Sequence, residues 1–274
     1  MISWWQHLPQ YMDPIAFMIG SFPVRFYSLF WIFGFFGVWL FLTVILKAER
    51  RDAVFREEIF DGLLWMFFGA LAGGRFGYAV LYAPRYFLDH PLALIIPFDG
   101  NGFSGFSGMS FFGGIIGAVL ALAIFLRKKP DSLLSRMDYY ALVAPIAIFF
   151  GRIGNFFNGE LFGRVTAVPW GMYFPGGGNI LRHPSQLYEA FLEGVILLIF
   201  LLLLRRYPRT TGSLAGFFLF GYGLSRMIGE FFREPDPGDT LFMSLSLGQW
   251  YSFSLIMVSF LFLASIKRKK SAIL

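Results

Sequence analysis

Charged side chains recur at helical spacing inside stretches that are otherwise apolar. In Gly151-Arg152-Ile153-Gly154-Asn155-Phe156-Phe157-Asn158-Gly159-Glu160, the spacing puts Arg152 and Asn155 on one helix face and Asn155 and Asn158 on one face a turn later. Arg226, Glu230 and Arg233 repeat the pattern, and so do Gln186, Glu189 and Glu193. A charge at mid-membrane costs between about 2.5 and about 17 kcal/mol, so such groups are held for a partner or for a reaction. Guanidinium keeps its proton when poorly solvated and grips phosphate with a two-pronged fork. Two arginines facing one cavity therefore suit an anionic phospholipid headgroup or a departing phosphate. The structural alternative stays open beside this: Arg226 pairs with Glu230, and Arg152 with Glu160 or Glu193, as glue between helices. Arg75 reads as structural, because Gly69, Gly73 and Gly77 form a stripe of small residues that lets helices approach closely.

The elements that would carry these residues are membrane helices. Hydrophobic residues make up 57% of the 274-residue chain and charged residues only 15%, too few to coat a water-facing surface. A hydrocarbon core needs roughly 20 apolar helical residues. Runs of that kind occur at Phe26–Leu46, Gly62–Tyr82, Met109–Leu126, Tyr139–Phe157, Leu187–Leu204, Gly212–Phe232 and Gly248–Ile266. The chain is thus expected to be all-α, a single integral membrane domain over residues 1–274 with about seven transmembrane helices. No basic segment leads into a short apolar run in residues 1–24, so no cleavable signal peptide is expected.

Basic residues orient the spans. One set of loops and the tail carry Lys47, Arg50, Arg51 and Arg56, Arg127 to Lys129 with Arg136, Arg205, Arg206 and Arg209, and Lys267 to Lys270. The opposite set carries only Arg25, Arg85, Arg164, Arg182 and Arg233. The positive-inside rule then places the N-terminus outside and the C-terminus in the cytoplasm. Residues 83–108 and 158–186 become long external loops, and the three charged stripes fall toward the outer leaflet.

The net charge of +6 is dispersed in short clusters between spans, which argues against a nucleic-acid partner. With no cysteine, disulfides, thiolate metal sites and a cysteine nucleophile are excluded. Two rival classes remain to be weighed. An intramembrane serine protease would use Gly102-Phe103-Ser104-Gly105 or Gly105-Phe106-Ser107-Gly108, but serine needs a base held against it and no span contains histidine. A small-solute transporter would also carry intramembrane charge, yet it lacks support from any internal repeat, and its site would lie at the midplane.

On these residues the chain resembles the bacterial prolipoprotein diacylglyceryl transferases. The stretch from Gly151 through Glu160-Leu161-Phe162-Gly163 carries the resemblance most specifically. Arg25-Phe26-Tyr27-Ser28-Leu29, Gly73-Gly74-Arg75, Arg182-His183-Pro184-Ser185-Gln186-Leu187-Tyr188-Glu189, Gly221-Tyr222-Gly223, Arg233-Glu234-Pro235-Asp236 and Gly248-Gln249 extend it along the chain. The resemblance implies transfer of the diacylglyceryl group of phosphatidylglycerol to the lipobox cysteine thiol of a preprolipoprotein, in the bacterial inner membrane, with membrane lipid as the surroundings and no metal or organic cofactor. Glycerol phosphate leaves and a thioether forms. Catalysis is expected of Arg152, Arg226, Glu230 and His183, and headgroup binding of Arg152, Asn155, Glu160, Gly163, Tyr27 and Arg233. One position departs from the family: Phe112 stands in Gly108-Met109-Ser110-Phe111-Phe112-Gly113-Gly114 where the family usually has a histidine proposed to activate the thiol. His183 is the imidazole nearest the implied site, as a substitute base or as a loop hydrogen-bonding residue.

The absence of native cysteine makes the topology directly testable. Cysteines placed at Ser104 and Gly177 should react with an impermeant maleimide on intact spheroplasts, whereas those at Ser132 and Ser271 should react only after permeabilisation. Labelling of Ser132 from outside contradicts the orientation.

Overall fold

A computed structural model describes residues 4–20, 22–95, 98–99, 102–103, 108–127, 130–207, 210–235 and 245–271. Ser104, Ser107, Lys128, Lys129, Arg209 and Asp236 lie outside the described residues, as do the side chains of Phe112, Ser132 and residues 267–270. Seven long helices are described: α1 (Phe26–Ala48), α2 (Ala53–Leu81), α3 (Phe111–Leu126), α4 (Pro130–Phe157), α5 (Ser185–Arg205), α6 (Ser213–Glu230) and α7 (Leu247–Ser271). Each overlaps one of the apolar runs of the sequence, with the ends displaced by up to nine residues, because polar residues such as Arg56 to Glu58, Arg136 and Asp138 continue a helix past its apolar core. Five of them, α1, α2, α5, α7 and residues 133–157 of α4, are long and apolar enough to cross a membrane. Gly113–Leu126 is a shorter apolar helix, and α6 is made less apolar by Arg226 and Glu230. Large apolar side chains such as Phe36, Leu40, Phe68, Ile116, Val119, Phe260 and Leu261 are exposed along these helices, as in a polytopic protein whose outer surface meets lipid.

The chain divides into two compact units, Ala48–Arg136 and the remainder. In the first, α2 and α3 pack closely along facing glycines. A β-carbon at Gly73 would collide with the Gly113 carbonyl, and one at Gly77 would lie 2.8 Å from Gly113 Cα. The structural reading of Arg75 holds here: its guanidinium donates to the carbonyls of Ala93 (2.7 Å), Gly108 (3.3 Å) and Leu94 (3.4 Å) and lies over the Phe87 ring. It ties the loop after α2 back onto that helix. Arg136 is buried, pairs with Glu58 and lies over the Phe55 ring.

The second unit holds α1, most of α4, and α5 to α7. Helices α1 and α4 meet where Gly34 faces Ala147 and Phe150, where Gly151 faces Trp31, and where Gly154 faces Tyr27. Gly194 of α5 packs on Phe149, and Gly221 of α6 on Leu197 of α5. Gly212 stands at the N-cap of helix α6 with φ of +88°, and being glycine it has no side chain with which to cap the helix. Asp138 of α4 supplies the cap instead, accepting from Gly212 N (2.8 Å) and Ala215 N (3.0 Å).

Two features lay beyond the sequence reading. Residues Ile15–Ile19 and Phe22–Arg25 form an antiparallel hairpin, β1–β2, and Ala190–Ile196 within α5 is π-helical. The loop between α4 and α5 also has a small core of its own. Phe156, Met172 and Phe174 are buried together against Trp5, Met12, Phe162 and Leu187, and Tyr173 N donates to Gln6 O at 2.8 Å. The N-terminal segment is therefore seated on this loop, above the ends of α4 and α5.

Candidate active site

The charged stripes of α4, α5 and α6 converge. Arg152 of α4 donates from Nε to Glu193 Oε2 at 3.0 Å, and its Nη1 lies 3.0 Å from Glu189 Oε2. Arg226 of α6 donates from Nη1 to Glu189 Oε1 at 2.6 Å, and its Nη2 lies 2.8 Å from Glu230 Oε2. Glu189 thus touches one guanidinium with each oxygen and joins two arginines that would otherwise repel. The side chains of Glu189 and Glu193 are wholly buried, whereas each arginine side chain keeps 14% of its surface exposed. The carboxylates are the most deeply buried part of the network, and the arginine side chains keep some exposure. A guanidinium carries five N–H donors, and these carboxylates use only some of them. The Tyr222 phenol of α6 lies close enough to interact electrostatically with Arg152.

Glycines make room for these carboxylates. A β-carbon at Gly229 would lie 3.2 Å from Glu189 Cγ, and one at Gly248 would overlap the Glu230 carboxylate. The start of α7 completes the support. Ser246 N donates to Gln249 Oε1 (2.9 Å) and Gln249 N donates to Ser246 Oγ (3.2 Å), a reciprocal capping box. The Ser246 hydroxyl also donates to Glu230 Oε1 at 3.2 Å. Glu189 and Glu193 were legible as a stripe but were not assigned to the site, and Ser246 was not identified at all. The Ser-x-x-Gln spacing before the last apolar run was the available signal.

The other implied residues gather around the loop after α4. Asn155 Nδ2 donates to Glu160 Oε1 at 2.8 Å, and Asn158 Nδ2 donates to the same oxygen at 3.3 Å. Glu160 therefore pairs with the asparagines, and Arg152 takes Glu193, the second of the two partners its spacing allowed. Gln186, fully buried, donates to the Glu160 carbonyl at 2.6 Å. Tyr27 of α1 packs against Gly154, next to Asn155. Gly163 N donates to His183 O (2.8 Å), and Gly163 bridges to Arg233, so that an added β-carbon would strike Phe232 O and His183 O. Only glycine fits this crossing. Arg233 is buried, and its carbonyl accepts from Arg164 Nε at 3.0 Å. The helix ends at Glu230, so Arg233 lies beyond it, where its backbone pairs with Gly163.

His183 sits against aromatic rings. Its Nδ1 is 3.1 Å from the Tyr188 hydroxyl, which also accepts from Trp170 Nε1 at 2.7 Å, and its ring meets Phe232 edge-on at 5.3 Å. Burial lowers its pKa below the usual histidine value, so the ring is neutral at pH 7. The Tyr188 O–H is within reach to donate to Nδ1, which would leave the ring proton on Nε2.

Comparison with known proteins was made against this geometry. The family profile described as prolipoprotein diacylglyceryl transferase matches residues 14–265. The chain is 42% identical over 260 residues to the phosphatidylglycerol–prolipoprotein diacylglyceryl transferase of Idiomarina loihiensis, covering 94% of each chain. It is 43% identical over 262 residues to that of Chlorobaculum tepidum, covering 93% of this chain and 90% of the relative. With that of Rhodospirillum rubrum it is 41% identical over 264 residues, covering 94% of each.

Removing the carboxylate between the two arginines should be costly in a way that exposed charges are not. Breaking a buried ion pair by deleting one partner typically costs about 3–5 kcal/mol. We expect Glu189→Ala to lower the thermal midpoint in detergent far more than Glu160→Ala, whose carboxylate is exposed. Equal midpoints for the two variants would contradict the bridging role.

Proposed function

The chain belongs to the prolipoprotein diacylglyceryl transferase family, and from that premise we propose how its ion network carries out the family's reaction. The protein transfers the diacylglyceryl group from phosphatidylglycerol to the lipobox cysteine thiol of preprolipoproteins, the first step of bacterial lipoprotein maturation. The sulfur attacks the glyceryl carbon, the carbon–oxygen bond to phosphate breaks, and glycerol phosphate leaves with the electron pair. The observation that carries the site assignment is the convergence of Arg152 and Arg226 on the buried carboxylate of Glu189.

In this reading the two guanidinium groups receive the phosphate. Negative charge grows on the leaving oxygen between the bound lipid and the transition state, so fixed donors aimed at that oxygen accelerate the chemical step. Glu189, Glu193 and Glu230 hold the forks in place so that little reorganisation is needed when the lipid arrives. Asn155 and Glu160, linked to each other and to Gln186, lie one turn beyond Arg152 and suit the glycerol hydroxyls of the headgroup. Tyr27 borders the same turn, while Gly163 and Arg233 fix the backbone crossing above it. The active site then lies toward the outer leaflet of the inner membrane, with residues 83–108 and 158–186 external.

Thiol activation needs no dedicated base in this scheme. A free cysteine thiol has a pKa near 8.5, so a few per cent is already thiolate at neutral pH. Nearby guanidinium groups favour the anion further. A base would contribute about 10²–10⁴-fold, so Phe112 at the family's histidine position is compatible with turnover. His183, tied to Tyr188, serves chiefly to hold the loop over the site.

The test is transfer to a synthetic lipobox peptide from phosphatidylglycerol, read by peptide mass. Arg152→Lys and Arg226→Lys should each lose roughly 10²-fold or more in kcat, the scale of losing one oxyanion donor. His183→Ala should cost less than either, and Phe112→His should not impair transfer. Near-normal turnover in either lysine variant removes that arginine from the mechanism. A His183→Ala loss as large as the arginine losses, confined to deprotonation, makes His183 the base.

A further inference from the structure

Among the contacts described, the network holds more carboxylates than guanidinium groups. Three carboxylates, Glu189, Glu193 and Glu230, surround two guanidinium groups, and the floor they form is buried. A phosphodiester seated on the arginines would add another negative charge to a site with little water to screen it. Something must offset it.

The oxygens of the network are not equivalent. Glu189 Oε1 accepts from Arg226, and Glu189 Oε2 lies 3.0 Å from Arg152 Nη1. Glu230 Oε2 lies 2.8 Å from Arg226 Nη2, and its Oε1 accepts from the Ser246 hydroxyl. Glu193 Oε2 takes both Nε and Nη2 of Arg152, at 3.0 and 2.9 Å. Glu193 Oε1 is the least closely paired of these: it is buried and accepts no hydrogen bond among the described residues, and its ion-pair distance to Arg226 Nη1 is 3.9 Å, against 3.0 Å for Glu189 Oε2 and 2.8 Å for Glu230 Oε2. It is the carboxylate oxygen that can take a proton without breaking a contact already made. The groups facing Glu193 are Arg152 from α4, Arg226 and the Tyr222 phenol from α6, and Glu189 from its own helix.

We propose that binding of the anionic phosphodiester headgroup is coupled to uptake of one proton at Glu193 Oε1. The inference rests on the headgroup reading of Arg152 and Arg226. The proton comes from bulk water or buffer, no covalent bond of the lipid changes in this step, and the pair Arg152–Glu193 persists through Oε2. Protonation removes a negative charge beneath the guanidinium groups as the phosphate adds one above them. Departure of glycerol phosphate reverses the exchange. Because the bound state holds the extra proton, affinity for the lipid falls as pH rises, approaching about tenfold per pH unit once free Glu193 is ionised.

The experiment is titration calorimetry of dioctanoyl phosphatidylglycerol into the full-length protein in neutral detergent, in two buffers of unequal ionisation enthalpy, from about pH 6 to about pH 9. Wild type should take up close to one proton per lipid bound. Glu193→Gln, a neutral isostere, should take up none and bind with an affinity flat in pH, while Tyr222→Phe should keep the wild-type slope. Binding by wild type with no proton exchange, or a Glu193→Gln variant that keeps the full proton count, overturns the proposal. Saturable binding with no proton exchange leaves the headgroup site standing, whereas no binding at any pH removes both.

Discussion

The Glu189 carboxylate, shared between Arg152 and Arg226, is the contact on which the rest of the site depends. Two guanidinium groups that share one carboxylate repel each other, and the repulsion is strong where water is scarce. A buried anion between them makes the arrangement stable and fixes both forks from below. Its cost is the desolvation of a carboxylate, which the two close guanidinium contacts offset. Helix α5 therefore acts as a counter-charged platform, and α4 and α6 bring the arginines to it.

The packing around the platform follows from that requirement. Gly229 and Gly248 are small because carboxylates occupy the space that a side chain would fill. The last helix starts with its own capping box and then lends the Ser246 hydroxyl to Glu230. At the far end of α6, Asp138 caps a helix whose N-cap residue, Gly212, has no side chain to do so. The π-helical turn at Ala190–Ile196 includes Glu193, and a local change of helical pitch is a common way to re-aim a functional side chain.

Periodicity made the spans and the charged stripes legible, since apolar runs of membrane length and polar residues three or four apart survive in any helical packing. It could not show which stripe members meet. Arg233 belongs to the same sequence pattern as Arg226 and Glu230, but the helix stops before it and its backbone pairs with Gly163 instead. Glu160 was an equal candidate with Glu193 for Arg152 until the turn at Gly159 and Leu161, with φ of +65° and +56°, directed it to the asparagines. The hairpin β1–β2 and the seating of the N-terminal segment on the loop after α4 depend on contacts distant in sequence, which no local spacing encodes. Arg75 was readable as structural because its glycine neighbours announced close helix packing.

The proposed chemistry turns on one placement, the phosphate of phosphatidylglycerol on the guanidinium groups of Arg152 and Arg226. An experimental structure with a non-transferable phosphatidylglycerol analogue measures this directly. The account predicts phosphate oxygens within about 2.7–2.9 Å of guanidinium nitrogens from both residues, with Glu189 still between them. A phosphate bound elsewhere, with both arginines contacting only their carboxylates, would contradict it.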